Sequence, residues 1–147
     1  MFDLANMQTN ANVVWHNGVK GNGVLKTEFL DAKVAIPTVL GGSGNGAFPK
    51  EVLVASVTTC YTAVLVSMIE SRELPVVEIS VHSEASISDD EFKIIHHPHM
   101  VLSENATDKQ VQSAERLFSA ADKGCVVGNL LKKADVKIEV QGEISTT

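Results

Sequence analysis

Three patterns of apolar and polar positions divide the chain. Over 12–46 the runs are short and broken by turn residues. "NVVWH" (12–16) reads as a strand, "NGVKGNG" (17–23) as a turn, and "VLKTEF" (24–29) as a returning strand. "AKVAIP" (32–37) reads as a third strand and "GGSGNG" (41–46) as a flexible loop. From Pro49 to about residue 72 the chain becomes almost wholly apolar, and a long helix is expected, with Pro49 suited to its first turn. After "SRELP" the period falls to two. "VVEISVHSEASI" (76–87) predicts a strand with Val77, Ile79 and Val81 on one face, followed by a turn at "SDDE" and a partner strand over 92–104.

The final third returns to helical spacing. "TDKQ" (107–110) has the form of a capping box. It opens a helix to about Asp122 whose buried stripe is Val111, Ala114, Leu117, Phe118 and Ala121, ended by Lys123 and Gly124. A short helix, "VVGNLLKKA", follows directly from Cys125. "DVKIEVQGEI" (135–144) closes the chain as one strand, with Val136, Ile138 and Val140 alternating with polar residues. Strands cluster instead of alternating with helices, so the class is α+β with a largely antiparallel sheet, in a single domain over 1–147.

The helix over 49–72 is the oddity. Eighteen uncharged residues (52–69) reach the length of a membrane span. They include Ser56, Thr58, Thr59, Thr62 and Ser67, and no basic cluster flanks one end, so a core helix is expected instead. A helix apolar nearly all round must be covered on every side, which points to a partner subunit.

Charge narrows the partners. The net charge is −6 and only two arginines occur, Arg72 and Arg116, so nucleic acid is not expected as a partner. The start of the chain lacks the pattern of a secretory signal, and a cytoplasmic location is expected. "GGSGNGAFPK" has the wrong glycine-to-lysine spacing for a phosphate loop. His97 and His99 share one side of a strand but have no third ligand, so no metal is expected, and exposure is the simpler reading.

Two cysteines remain, Cys60 at the centre of the apolar helix and Cys125 some 65 positions further on. Cys125 sits where a helix begins, so free N–H groups should favour its thiolate. Around Cys60 the helix places Ser56, Val57, Ala63, Val64 and Ser67, a small apolar surface with a few hydroxyls. Burial there disfavours a charged sulfur unless a cation or hydrogen bond reaches it. On residues alone the thiols are either inert small hydrophobes or a redox pair.

The chain resembles the OsmC/Ohr family of thiol-dependent hydroperoxide reductases almost end to end. "VVWHNGVKGNGVLKTEF" is similar to the family's opening hairpin, "FPKEVLVASVTTCYTAVLVSMI" to its central cysteine helix, and "ADKGCVVGNLLK" to its glycine-cysteine segment. The resemblance implies an OsmC-like fold, mostly antiparallel sheets around a long central helix, in an intertwined homodimer. It implies that Cys60 is the peroxidatic thiol and Cys125 the resolving one. The implied substrate is an organic hydroperoxide, regeneration is by an external dithiol (lipoyl-type or other), and no cofactor or metal is implied. Three departures stand out. The family's activating arginine falls near "IPTVLGG", where Val39 stands, and Val126 replaces a proline. Glu51 matches the helix motif's second glutamate, and Lys50 replaces the first. Lys50, Lys20 and Lys33 are candidate substitutes for the missing cation. A ligand-binding protein for small apolar molecules with vestigial thiols is the alternative, and a thiol hydrolase a minor one.

Overall fold

A computed structural model describes residues 7–147. The chain forms two compact units, one reaching to Val52 and one of Leu53–Thr147.

The N-terminal unit is a three-stranded antiparallel sheet of β1 (Asn12–His16), β2 (Asn22–Lys26) and β3 (Asp31–Val34), in that order. Its first turn is made by Asn17 and Gly18, both with positive φ, as a tight hairpin of right-handed twist requires. A 3-10 turn over Thr38–Leu40 follows, leaving Val39 exposed. The loop after it returns to pair Ala47 with Val34. A β-carbon at Gly46 would lie 2.6 Å from the Val34 backbone, so only glycine allows that approach.

α1 (Pro49–Ser71) carries the chain into the C-terminal unit. There β4 (Val76–Ile87) and β5 (Phe92–Leu102) form a long antiparallel hairpin, followed by α2 (Asp108–Gly124), α3 (Val126–Lys133), β6 (Lys137–Val140) and β7 (Glu143–Thr146). The sheet is mixed, because β6 and β7 both pair with β5 in parallel. The single terminal strand expected from the alternation is two strands. The break falls opposite His97–Pro98, where proline has no N–H to give a neighbouring strand. One expected face is also corrected: a register shift between Val76 and Glu78 turns Val76 inward and leaves Val77 58% exposed.

The core lies on one face of this sheet. Ile94, His96, Pro98, Met100 and Leu102 alternate inward from β5 and are buried. Ala114, Leu117, Phe118 and Ala121 of α2 are buried as the stripe predicts, and Thr107 closes a complete capping box with Gln110. α1 buries only Val57, Tyr61, Leu65 and Ile69, one stripe at four-residue spacing. The rest of this apolar helix is half-buried or exposed, including Leu53 and Val66. By length and composition it could cross a membrane.

Candidate active site

α1 delivers Cys60 one residue before the fully buried Tyr61, and Cys60 itself is half-buried. The hydroxyls around it are turned back onto the helix. Thr59, Thr62 and Ser67 donate to the carbonyls of Ala55, Thr58 and Ala63 at 2.7–2.9 Å. Such back-bonding lets an apolar helix carry hydroxyl groups without leaving them unpaired.

Cys125 stands at the joint between α2 and α3. In extended conformation (φ −78°, ψ 107°), it caps the end of one helix and the start of the next. The expected glycine stop is therefore replaced: Gly124 is the last helical residue of α2. Its bare Cα faces α1, since a β-carbon there would sit 3.4 Å from Val64 Cγ1. Cys125 Sγ accepts the Gly128 N–H at 3.4 Å. A β-carbon on Gly128 would approach that sulfur to 3.2 Å, so the small residue keeps room for it.

The two cysteines meet. Cys125 is buried in the same apolar cluster that Cys60 packs against, and its thiol lies near enough to Cys60 for that side chain to act on its ionisation. Both sulfurs are free thiols. The Cys125 thiol is pushed up to about 11, chiefly by burial, then by the neighbouring Cys60 thiol, with a smaller contribution from the charge of Asp122. The Gly128 N–H pulls the other way and loses. The expectation that a helix start would favour the Cys125 thiolate is thus overturned. One N–H contact does not offset removal from water.

A buried polar chain adjoins the thiols. Tyr61 OH donates to the Phe118 carbonyl at 2.9 Å, and its ring stacks on the His96 imidazole with centroids 4.7 Å apart. His96 Nδ1 lies 2.6 Å from Ser83 Oγ, which lies 2.8 Å from Thr58 Oγ1. Burial depresses the His96 pKa; the Asp122 charge opposes this, while Lys132 and His97 reinforce it. Tyr61 is raised by burial first, then by Asp122 and Cys125. Asp122 therefore acts on Tyr61, His96 and Cys125 together. It is itself held by Lys132 at 2.9 Å in a half-buried pair.

Of the residues singled out from sequence, Cys60 and Cys125 are brought together. Lys50 and Glu51 lie exposed in the first turn of α1. His97 and His99 point away from the core. His97 pairs with Glu84 at 2.7 Å, and His99 with Ser145 at 2.8 Å. Among the described residues no group of three His, Cys, Asp or Glu side chains could hold a metal. Sequence reasoning missed His96, Tyr61 and the Asp122–Lys132 pair. The signal for His96 was parity, because it shares the inward face of β5 with Ile94, Met100 and Leu102.

A long cysteine-bearing helix over a mixed sheet, with a second thiol at a helix–helix joint, defines a two-thiol α+β protein. The OsmC-like protein family model matches residues 42–141, and the chain belongs to that family. Among relatives, the uncharacterized protein YmaD of Bacillus subtilis (strain 168) is 27% identical over 139 residues, covering 88% of this chain and 93% of that protein. Among solved structures, an organic hydroperoxide resistance protein OsmC from Legionella pneumophila superposes with a TM-score of 0.67 at 21% identity, covering 96% of this chain and 98% of that one. An OsmC-like protein from Mycoplasma pneumoniae gives 0.72 at 14% identity, over 95% and 99% of the two chains. These structural likenesses establish the OsmC-like α+β fold.

Proposed function

We propose that this protein is a thiol-dependent peroxidase that reduces organic hydroperoxides to alcohols, in the cytoplasm. The observation that carries the reading is the nearness of two free thiols 65 positions apart in sequence, both at one apolar cluster and close enough for Cys60 to raise the Cys125 pKa. Neighbouring thiols favour disulfide formation once their β-carbons come within about 4.5 Å. Family membership and the hydroperoxide-resistance proteins among its structural neighbours support the same class of reaction.

The steps balance without a cofactor. Cys60 sulfur attacks one peroxide oxygen and the O–O bond breaks. The other oxygen leaves as the alcohol after taking up the thiol proton, and Cys60 becomes a sulfenic acid. Cys125 then attacks the Cys60 sulfur; its proton and the hydroxyl leave as water, and a disulfide forms. An external dithiol (lipoyl-type or other) reduces the bridge by exchange, becoming oxidised itself. Cys125 enters the cycle protonated, and its neighbouring S–H is the proton donor we assign beside Cys60 in place of the absent arginine. Lys50 and Glu51 are candidate supporting groups at the start of the helix. The site works in a homodimer, whose second copy covers the apolar faces of α1 left open by its single buried stripe.

Mixing reduced protein with cumene hydroperoxide and a dithiol tests the reading. Peroxide loss that Cys60→Ser abolishes is expected; no loss with the unaltered protein overturns it. The alternative, a carrier of small apolar ligands, is favoured by Val39, an exposed aliphatic residue where the family's arginine is expected. Ligand binding without peroxide consumption would support that alternative.

A further inference from the structure

Counting protons along the buried polar chain locates one of them. Thr58 Oγ1 lies 2.7 Å from the Val54 carbonyl and 2.8 Å from Ser83 Oγ, and Ser83 Oγ lies 2.6 Å from His96 Nδ1. At these separations each contact needs a proton between its atoms. The two hydroxyls supply one proton each.

Suppose Nδ1 is bare. Ser83 must then donate to His96 and Thr58 to Ser83, which leaves Thr58 Oγ1 facing the Val54 oxygen at 2.7 Å with nothing between. Two oxygens at that distance repel. Suppose instead that Nδ1 carries its hydrogen. His96 donates to Ser83, Ser83 to Thr58, and Thr58 to the Val54 carbonyl. Every contact is then satisfied in one continuous direction. No water fits between two oxygens 2.7 Å apart, so the first arrangement leaves that contact unrepaired.

We propose that His96 is held as the Nδ1–H tautomer and that, through Ser83 and Thr58, it is a positioning residue for the Cys60–Cys125 pair. Thr58 and Tyr61 flank Cys60 on α1, and both are engaged by His96, one through hydrogen bonds and one by ring stacking. Tyr61 is further tied to Phe118 of α2, the helix that ends at Cys125. Successive residues project about 100° apart around a helix axis. Fixing Thr58 and Tyr61 therefore fixes the direction in which Cys60 projects. This role rests on the redox reading above; the tautomer does not.

The test separates the two. Long-range proton–nitrogen NMR of the reduced, 15N-labelled protein at pH 8 reads the His96 tautomer. Protonation on Nδ1 is expected, and protonation on Nε2 overturns the proposal. Thr58→Val keeps the shape but removes two of the three contacts, so the Nδ1–H preference should disappear. Thr58→Ser should retain it. Equilibration of each protein with reduced and oxidised dithiothreitol, in which the disulfide forms as the reagent is reduced, measures the effective concentration of the thiol pair. A fall of at least fivefold is expected in Thr58→Val, with Thr58→Ser within twofold of the unaltered protein. Equal values in Thr58→Val and the unaltered protein refute the positioning role. An Nδ1–H signal without any disulfide in the unaltered protein refutes the redox reading, and the positioning role with it, while the proton assignment stands.

Discussion

Burial sets the ionisation of Cys125. With its thiol pushed up to about 11 from an ordinary 9.0, only about one molecule in ten thousand carries the thiolate at pH 7, against about one in a hundred for an exposed cysteine. Reaction of Cys125 with a small alkylating agent should therefore rise about tenfold per pH unit from pH 7 to 10, with no plateau in that range. Buried access slows the absolute rate, so the shape of the profile is the readout, taken by quenching at intervals and quantifying the alkylated Cys125 peptide. Cys60→Ala removes the neighbouring thiol that helps to raise Cys125 but leaves its burial. The rise should then level off at lower pH, yet still above 9. The same linkage governs stability. A folded thiol that holds its proton more tightly than the unfolded one contributes fully below the unfolded value. That contribution is lost as pH rises from about 9 through 11, at up to about 1.4 kcal/mol per pH unit. Tyr61, raised by its own burial, adds to the alkaline loss. A Cys125 profile that levels off below pH 9 in the unaltered protein would refute the reasoning, because burial would then not dominate the sulfur's environment.

Other outcomes follow from the same geometry. Tyr61→Phe keeps the stacked ring but loses the hydroxyl bond to Phe118, and should cost about 1 kcal/mol, read as a melting shift of about 2–4 °C. His96, held below its usual range by burial, should make stability fall as pH drops below the unfolded value of about 6.5, because the unfolded chain takes up the proton first. Denaturant titrations at pH 7.5 and 5.5 should show that loss, and His96→Gln should reduce it. Closing the Cys60–Cys125 bridge should stabilise the fold by about 4 kcal/mol on the loop-entropy model, visible as a higher urea midpoint for the oxidised protein. Lys50→Ala should slow peroxide turnover if that lysine supports Cys60; unchanged turnover removes it from the mechanism.

Much of the C-terminal unit was legible from periodicity. The 107–110 capping box and the stripe from Ala114 to Ala121 are local signals, and local backbone chemistry enforces them without help from distant residues. The long helix was legible too, but its burial was not. A segment apolar on all sides does not say which stripe meets its own sheet, and Val57, Tyr61, Leu65 and Ile69 emerge only from packing. The inward turn of Val76 was hidden because a bulge reverses parity over one residue. The split of the last strand depended on Pro98, a residue on a different strand.

At the site, the two thiols were named from sequence, and their meeting depends on a tertiary contact that spacing alone does not contain. The ionisation of Cys125 was misjudged because a helix start is a local feature and desolvation is a global one. His96 was passed over beside its more conspicuous neighbours His97 and His99, although the alternation of β5 already turned it inward.

Intact mass spectrometry after one equivalent of cumene hydroperoxide, with peptide mapping of the product, tests the central claim most directly. The mass should fall by two hydrogens, and one cross-linked peptide should join Cys60 to Cys125. Cys125→Ser should instead gain one oxygen, held on Cys60. A reduced protein that leaves the peroxide and its own mass unchanged, while its thiols stay open to alkylation on unfolding, would contradict the claim that these sulfurs form a redox pair.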